Sequence, residues 1–256
     1  MRDFIEEAYE HRQDGYGRVQ AANKVPLMKR FYKAVSVEPI GDRFAILLDG
    51  KNVKTPSGKP VHVPTAALAQ AMVREWEAQA AEIDFRSMPL VRLAHSAIES
   101  GAAGAQSFRD EIVKYAGNDL MLYRADTPDS LVREQESAWD PVLVALARRF
   151  GVKFQPTVGI VHQPQPAAAL KKLAETFEHE DFFALVGLMQ ITSLTGSGLL
   201  AIAFRQGLID PGSIWATAHI DEDHNVRLWG EDDEAQRRRA YRFVEFNAAL
   251  DLLKLL

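Results

Sequence analysis

The stretch FYKAVSVEPIGDRFAILLDGKNVKTPSGKPVHVP, residues 31–64, carries the period of a strand, and the chain after it carries the period of a helix. Phe31, Lys33, Val35 and Val37 alternate with Tyr32, Ala34 and Ser36, the two-residue repeat of a strand with one buried face. Gly41-Asp42 turns the chain, and Phe44, Ile46 and Leu48 alternate with Ala45, Leu47 and Asp49. Asp49-Gly50 is a hairpin signal, because glycine takes the positive φ that a tight primed turn requires. Residues 51–55 make the return strand, residues 56–60 turn again, and Val61, His62 and Val63 add a short strand. The expectation is an antiparallel meander.

From Pro64 onward Thr65 is a candidate N-cap. Leu68, Met72, Trp76, Ala80 and Ile83 then recur at spacings that put them on one helical face. Further helices are expected after Pro89, through Phe108, Ile112 and Tyr115, over residues 129–150 with Gly151 as cap, and over residues 165–179 and 180–207. The last runs from about Glu231 to the end, with Tyr241, Val244, Ala248, Leu252 and Leu255 as its apolar stripe. The fold class is therefore α+β: a small N-terminal antiparallel sheet followed by a larger, mostly helical domain. The expected divisions are an arm over residues 1–30, broken at Asp14, Gly15 and Gly17, a β-rich domain with its helix over 31–103, and a helical domain over 104–256.

Composition narrows the function. The chain has 256 residues, a net charge of −5 and no cysteine. It lacks the basic excess of a nucleic-acid binder, and disulfides, thiolate nucleophiles and cysteine-held zinc or iron–sulfur groups are excluded. No apolar run reaches the roughly 20 residues that span a bilayer; residues 194–204, LTGSGLLAIAF, fall short, so no membrane insertion is expected. The first residues carry Glu6, Glu7 and Glu10 and no apolar core, unlike a secretory signal or an acid-poor transit peptide, which makes the cytoplasm the expected compartment.

Catalytic and nucleotide motifs fail on inspection. Gly58-Lys59 lacks the earlier glycine of a phosphate loop, since Val53 stands there, and Pro60 replaces its serine or threonine. Gly196-Ser197-Gly198 has Thr195 and Leu199 where a nucleophile elbow needs glycines, so close helix packing is the better reading. His219, Asp221, Glu222, Asp223 and His224 are potential metal ligands. The two histidines, five apart, diverge around a helix, and Val226 stands where a calcium loop needs glycine. A hydrolase or lyase built on a carboxylate–histidine site around Asp221 and His224, with or without a metal, is the alternative function.

WGEDDEAQRRRA, residues 229–240, reads as a helix start: four acids where helix N–H groups favour negative charge, then arginines at i+4. Yet residues 221–234 hold seven carboxylates and one arginine. Such a density repels itself unless something basic meets it. Trp229 reads as either a core anchor or an interface anchor, with the core favoured.

RFYKAVSV (30–37), LDGKNVKTPSGKPVHVPT (48–65), EWEAQ (75–79), MPLVRLAHSAI (88–98), DLMLYR (119–124), QESAWDPVL (135–143), and Asp221-Glu222 followed by WGEDDEA (229–235) stand in an order that resembles one family over nearly the whole chain. It is the family of assembly chaperones for the F1 part of ATP synthase, of the type that binds the α subunit. The first thirty residues and His224 depart from it. The resemblance implies a non-enzymatic protein without cofactor or metal, expected as a monomer, that covers the β-facing surface of the free α subunit. It implies the cytoplasm in bacteria and the mitochondrial matrix for eukaryotic members. The partner-binding candidates are Glu222 and Glu231, with Asp221, Asp232, Asp233 and Glu234 behind them. Trp76 is a further candidate, its other reading being a structural role between the two parts.

Overall fold

A computed structural model of the chain describes residues 27–256. The expected arm, up to residue 26, lies outside the described residues. The described residues divide into two compact units: residues 32–78 with 85–256, and residues 27–31 with 79–84.

The first described element is a short strand, β1 (Met28–Lys29). In the larger unit β2 (Val35–Ile40) and β3 (Arg43–Leu48) pair antiparallel, from Val35 opposite Leu48 to Ile40 opposite Arg43. β4 (Lys51–Asn52) and β5 (His62–Val63) both add to the other edge of β3, Asn52 opposite Leu47 and Val63 opposite Phe44. The antiparallel sheet is as expected, except that the last strand returns to β3 past β4. The turn at residues 56–60 lengthens into an excursion closed by a Lys54–Pro60 bridge. Asp49 and Gly50 both take positive φ, 47° and 76°, and the Asp49 carboxylate accepts from the amides of Lys33 and Ala34. Strand geometry starts only at Val35: Phe31 is exposed, while Tyr32 turns inward and its hydroxyl donates to the Trp76 carbonyl at 2.7 Å. Central β3 buries Ala45, Ile46, Leu47 and Leu48 alike, so its alternation gives way to burial on both faces.

α1 (Ala66–Glu77) starts at Thr65, whose hydroxyl accepts from Leu68 N as expected. It packs Leu68, Met72 and Trp76 against the sheet and stops three residues before Ala80. Ala80 is exposed, and Ile83 lies in β6 (Glu82–Ile83), so neither belongs to the helical face the period suggested. Strand pairing takes that segment from the helix. In the smaller unit β6 runs antiparallel to β1, with Met28 opposite Ile83. Arg30 N donates to Ala81 O, and the Gln79 side chain accepts from Asp84 N at 2.8 Å.

The helical part opens with α2 (Pro89–Gly117), which has proline at its first turn, where no N–H is missed. The Glu75 carboxylate accepts from Leu90 N and Val91 N at 2.9 and 2.8 Å, capping this helix from α1. Gly101 breaks its axis with φ 54° and ψ −162°. A one-turn helix then leads to β7 (Tyr123–Arg124) and α3 (Asp129–Phe150), which ends on left-handed Gly151 as expected. β8 (Thr157–Val158) runs parallel to β7, followed by α4 (Ala167–Glu175).

α5 (Phe182–Thr195) is buried nearly all round, as an apolar helix without a polar face must be, and packs on α2. The expected single helix over 180–207 breaks at Gly196, left-handed at φ 71°, and Ser197 caps α6 (Gly198–Arg205). α7 (Ile214–Ala218), α8 (Ile220–Trp229) and α9 (Asp233–Leu255) complete the chain, and α9 also packs on α5. The expected stripe of α9 holds only in its second half. Ala248 and Leu252 are buried with Phe246, Ala249 and Leu253, whereas Tyr241 and Val244 are about half exposed. The first turns of α9 have no body beneath that side. Among the described residues no helix is long and apolar enough to cross a membrane.

Candidate functional site

The acid-rich segment forms a corner between α8 and α9, and α3 is its seat. Ile220 and His224, one turn apart, are the buried face of α8. Gln135 on α3 is itself buried; its Nε2 donates to Asp221 Oδ1 at 2.8 Å while its Oε1 accepts from Ala125 N. Glu134 pairs with Arg227 and stands 3.5 Å from His224 Nδ1. Trp139, fully buried, donates its indole N–H to Thr217 O at 2.8 Å, tying α7 to the same helix. Thus Glu134, Gln135 and Trp139 of α3 hold the corner in place. Residues 135–143 carry part of the family resemblance, but a buried glutamine, and a glutamate that pairs 93 residues away, leave no periodic signal of this role.

The predicted residues fall into three settings. Asp221 is exposed but engaged by Gln135, and Asp223 meets Arg239 of α9 at 2.5 Å. Glu222 is exposed at the rim of a cleft of about 400 Å³ between the end of α5, α7–α8 and α9, into which Arg238, Arg239 and Arg242 reach. Arg242 also donates to Leu194 O at 2.7 Å, satisfying a carbonyl at the C-terminus of α5. Glu231, Asp232, Asp233 and Glu234 are exposed around the start of α9, and Asp232 caps it by accepting from Ala235 N at 2.7 Å. Trp76 lies apart from them, 3% exposed and edge-on to Tyr32 and Phe85.

Trp229 does not enter the core. It is 85% exposed, and its neighbour Leu228 is 58% exposed. Nine residues from Ile220 is half a revolution around α8, so the same helix that buries Ile220 turns Trp229 to solvent. A large apolar side chain so placed forgoes about 1.5–3 kcal/mol that burial would give.

The potential metal ligands do not assemble. His219 Nδ1 donates to Trp215 O at 2.7 Å, and the imidazole stacks on that indole with centroids 4.0 Å apart. Burial, the largest influence, moves its pKa down. His224 turns toward α3 instead. Among the described residues no three histidine, aspartate or glutamate side chains stand close enough to hold a metal ion.

The arrangement is one of presentation: carboxylates and an indole held outward on a pinned corner. Comparison with known proteins agrees with the resemblance read from sequence. The model of the ATP12 chaperone protein family matches residues 29–147, a span that includes the sheet, α1, α2 and the Gln135–Trp139 seat on α3. The Atu1473 protein of Agrobacterium tumefaciens is 40% identical in a solved structure, covering 90% of this chain and 87% of its own, with a TM-score of 0.86. Atp12 from Paracoccus denitrificans is 35% identical, covering 89% of this chain and 98% of its own, with a TM-score of 0.83. The mitochondrial protein atp12 of Schizosaccharomyces pombe is 21% identical over 222 residues, 82% of this chain and 76% of its own. With these matches over most of its length, and with the expected sheet-then-helices fold, the chain belongs to the ATP12 chaperone protein family.

Proposed function

We propose that this chain is a chaperone of ATP synthase assembly that binds the free α subunit of F1 and covers its β-facing surface until the β subunit arrives. Family membership supports the chaperone part. The observation that carries the α-subunit reading to particular residues is the exposed acid set at the α8–α9 corner, Glu222 and Glu231 foremost, with Asp221, Asp232, Asp233 and Glu234 beside them. Like charges held this close destabilise one another unless a basic surface joins them. A protein that acts by covering a surface needs charge to set register and moderate affinity, so that the permanent neighbour displaces it. No nucleotide cycle is required, because the completed α–β interface is the tighter one. The chain acts by binding alone, as a monomer, in the compartment where F1 is assembled.

The test uses isolated α subunit without nucleotide. The chain is expected to suppress its aggregation and to co-purify with it. Glu222→Lys is expected to abolish most of that suppression while the melting curve stays within the small range of a surface change, about ±0.5 kcal/mol. Failure of the unaltered chain to hold α subunit, in either assay, refutes the proposal.

A further inference from the structure

We infer that Leu228 and Trp229 form an apolar plug that enters a pocket on the client protein, a pocket lined by apolar side chains and rimmed by lysine or arginine. This rests on the chaperone reading above and names the contact through which it works. Three of the four tryptophans are 8% exposed or less: Trp76, Trp139 and Trp215. Trp229 alone is held out, at 85%, beside an exposed Leu228. Its placement is built. Gly230 has φ 88° and ψ 177°, a backbone state that side chains disfavour, and this sets the corner between the two helices. α8 is fastened to α3 through Asp221–Gln135 and Arg227–Glu134, and to α9 through Asp223–Arg239. The plug therefore projects from a support that is already ordered, which keeps the ordering cost of binding low.

The surroundings select the occupant. Glu231, Asp232, Asp233 and Glu234 follow the indole within five residues, all exposed. The nearby cations Arg227 and Arg239 are spent on Glu134 and Asp223, and Arg237 and Arg238 stand a turn further along α9. A second copy of this chain would bring the same four acids against these four, and an anionic lipid surface would meet the same repulsion. A protein pocket with a basic rim satisfies both the indole and the carboxylates. Tryptophan within a ring of polar contacts is also the composition of an interface hot spot.

The experiment measures binding of isolated F1 α subunit to the full-length chain and to two variants, Trp229→Ala and Trp229→Phe, each checked by thermal melting. A chain carrying the photo-crosslinker p-benzoylphenylalanine at position 229 is compared with one carrying it at the equally exposed Ile160. Trp229→Ala is expected to weaken binding by tenfold or more with an unchanged melt, Trp229→Phe to keep most of it, and position 229 alone to crosslink to α subunit. Undiminished binding by Trp229→Ala, or equal crosslinking from both positions, overturns the plug and leaves the chaperone reading standing. If the unaltered chain does not bind α subunit at all, both fall together.

Discussion

Asp119 shows how much a single carboxylate can do away from any docking face. It is fully buried; Ser197 Oγ lies 2.8 Å from both its oxygens, and it accepts from Leu199 N at 2.8 Å, at the start of α6, and from Met121 N at 3.2 Å. Burial, outweighing these donors, pushes its pKa up to about 7, and burial does the same to Glu75 of α1, whose carboxylate caps α2. The sign follows from proton counting. Between about pH 4 and 7 the folded carboxyl holds a proton that the unfolded chain has released, so unfolding sheds a proton and stability falls as pH rises. The slope per such group is at most about 1.4 kcal/mol per pH unit, and it vanishes above the folded pKa. Asp119→Asn, which imitates the protonated acid, is expected to flatten the decline by one proton's worth in urea titrations at pH 5, 6, 7 and 8. An identical slope in the variant would mean that the folded carboxyl stays ionised. None of this was legible in the sequence, where DLMLYR is a motif without a task. A buried acid and its donors, 78 residues away at Ser197, meet only in the fold. Trp229 misled for the opposite reason: a tryptophan is expected inside, and only the angular count from Ile220 turns it out.

At the scale of elements the sequence was most readable where local chemistry sets the outcome. The Asp49-Gly50 turn, the Thr65 cap and the Gly151 stop are each fixed by one or two residues, and all stand as read. Legibility failed where an outside partner intervened. α1 ends at Glu77 because residues 79–84 answer to β1, and α5 and α6 separate because Ser197 is drawn to Asp119. The reading of Gly196-Ser197-Gly198 as a close-packing segment was right, and its sharpest point is Gly198. A β-carbon there would stand 2.3 Å from Ile112 O and 2.7 Å from Ala116 N, both backbone atoms of α2. Neither can yield without moving a helix. Gly198→Ala is expected to cost about 3 kcal/mol, at the upper end of the usual range for overpacking. At about 2–4 °C per kcal/mol for a chain of this size, the melting temperature should fall by roughly 6–12 °C. An unshifted melt would mean that α6 does not lie against α2 as closely as described.

Across the whole molecule, charge and apolar surface are sorted to different tasks. The net charge is −5, while residues 221–234 alone carry seven carboxylates against one arginine, a local excess that the rest of the chain offsets. The sequence made this visible as density, but only the fold shows that the acids surround a pinned, outward corner, where their mutual repulsion is held in place, and not a loose loop. On the function proposed above, a temporary cover must arrive quickly, before an orphan subunit aggregates, and must leave readily when the permanent neighbour comes. Long-range charge serves the first need without burdening the second, because it raises the rate of encounter more than it slows departure. The association rate with free α subunit is therefore expected to fall about tenfold or more between roughly 20 mM and 500 mM salt, over which the screening length shrinks well below the size of the acid patch. The dissociation rate should change far less. Replacing Glu231 and Asp233 together by lysine should flatten the salt dependence of association, while Trp229→Ala should leave that dependence intact and act on dissociation. Stopped-flow mixing at several salt concentrations reads both rates. An association rate indifferent to salt would show that the carboxylates do not steer the encounter, whatever the indole does once contact is made.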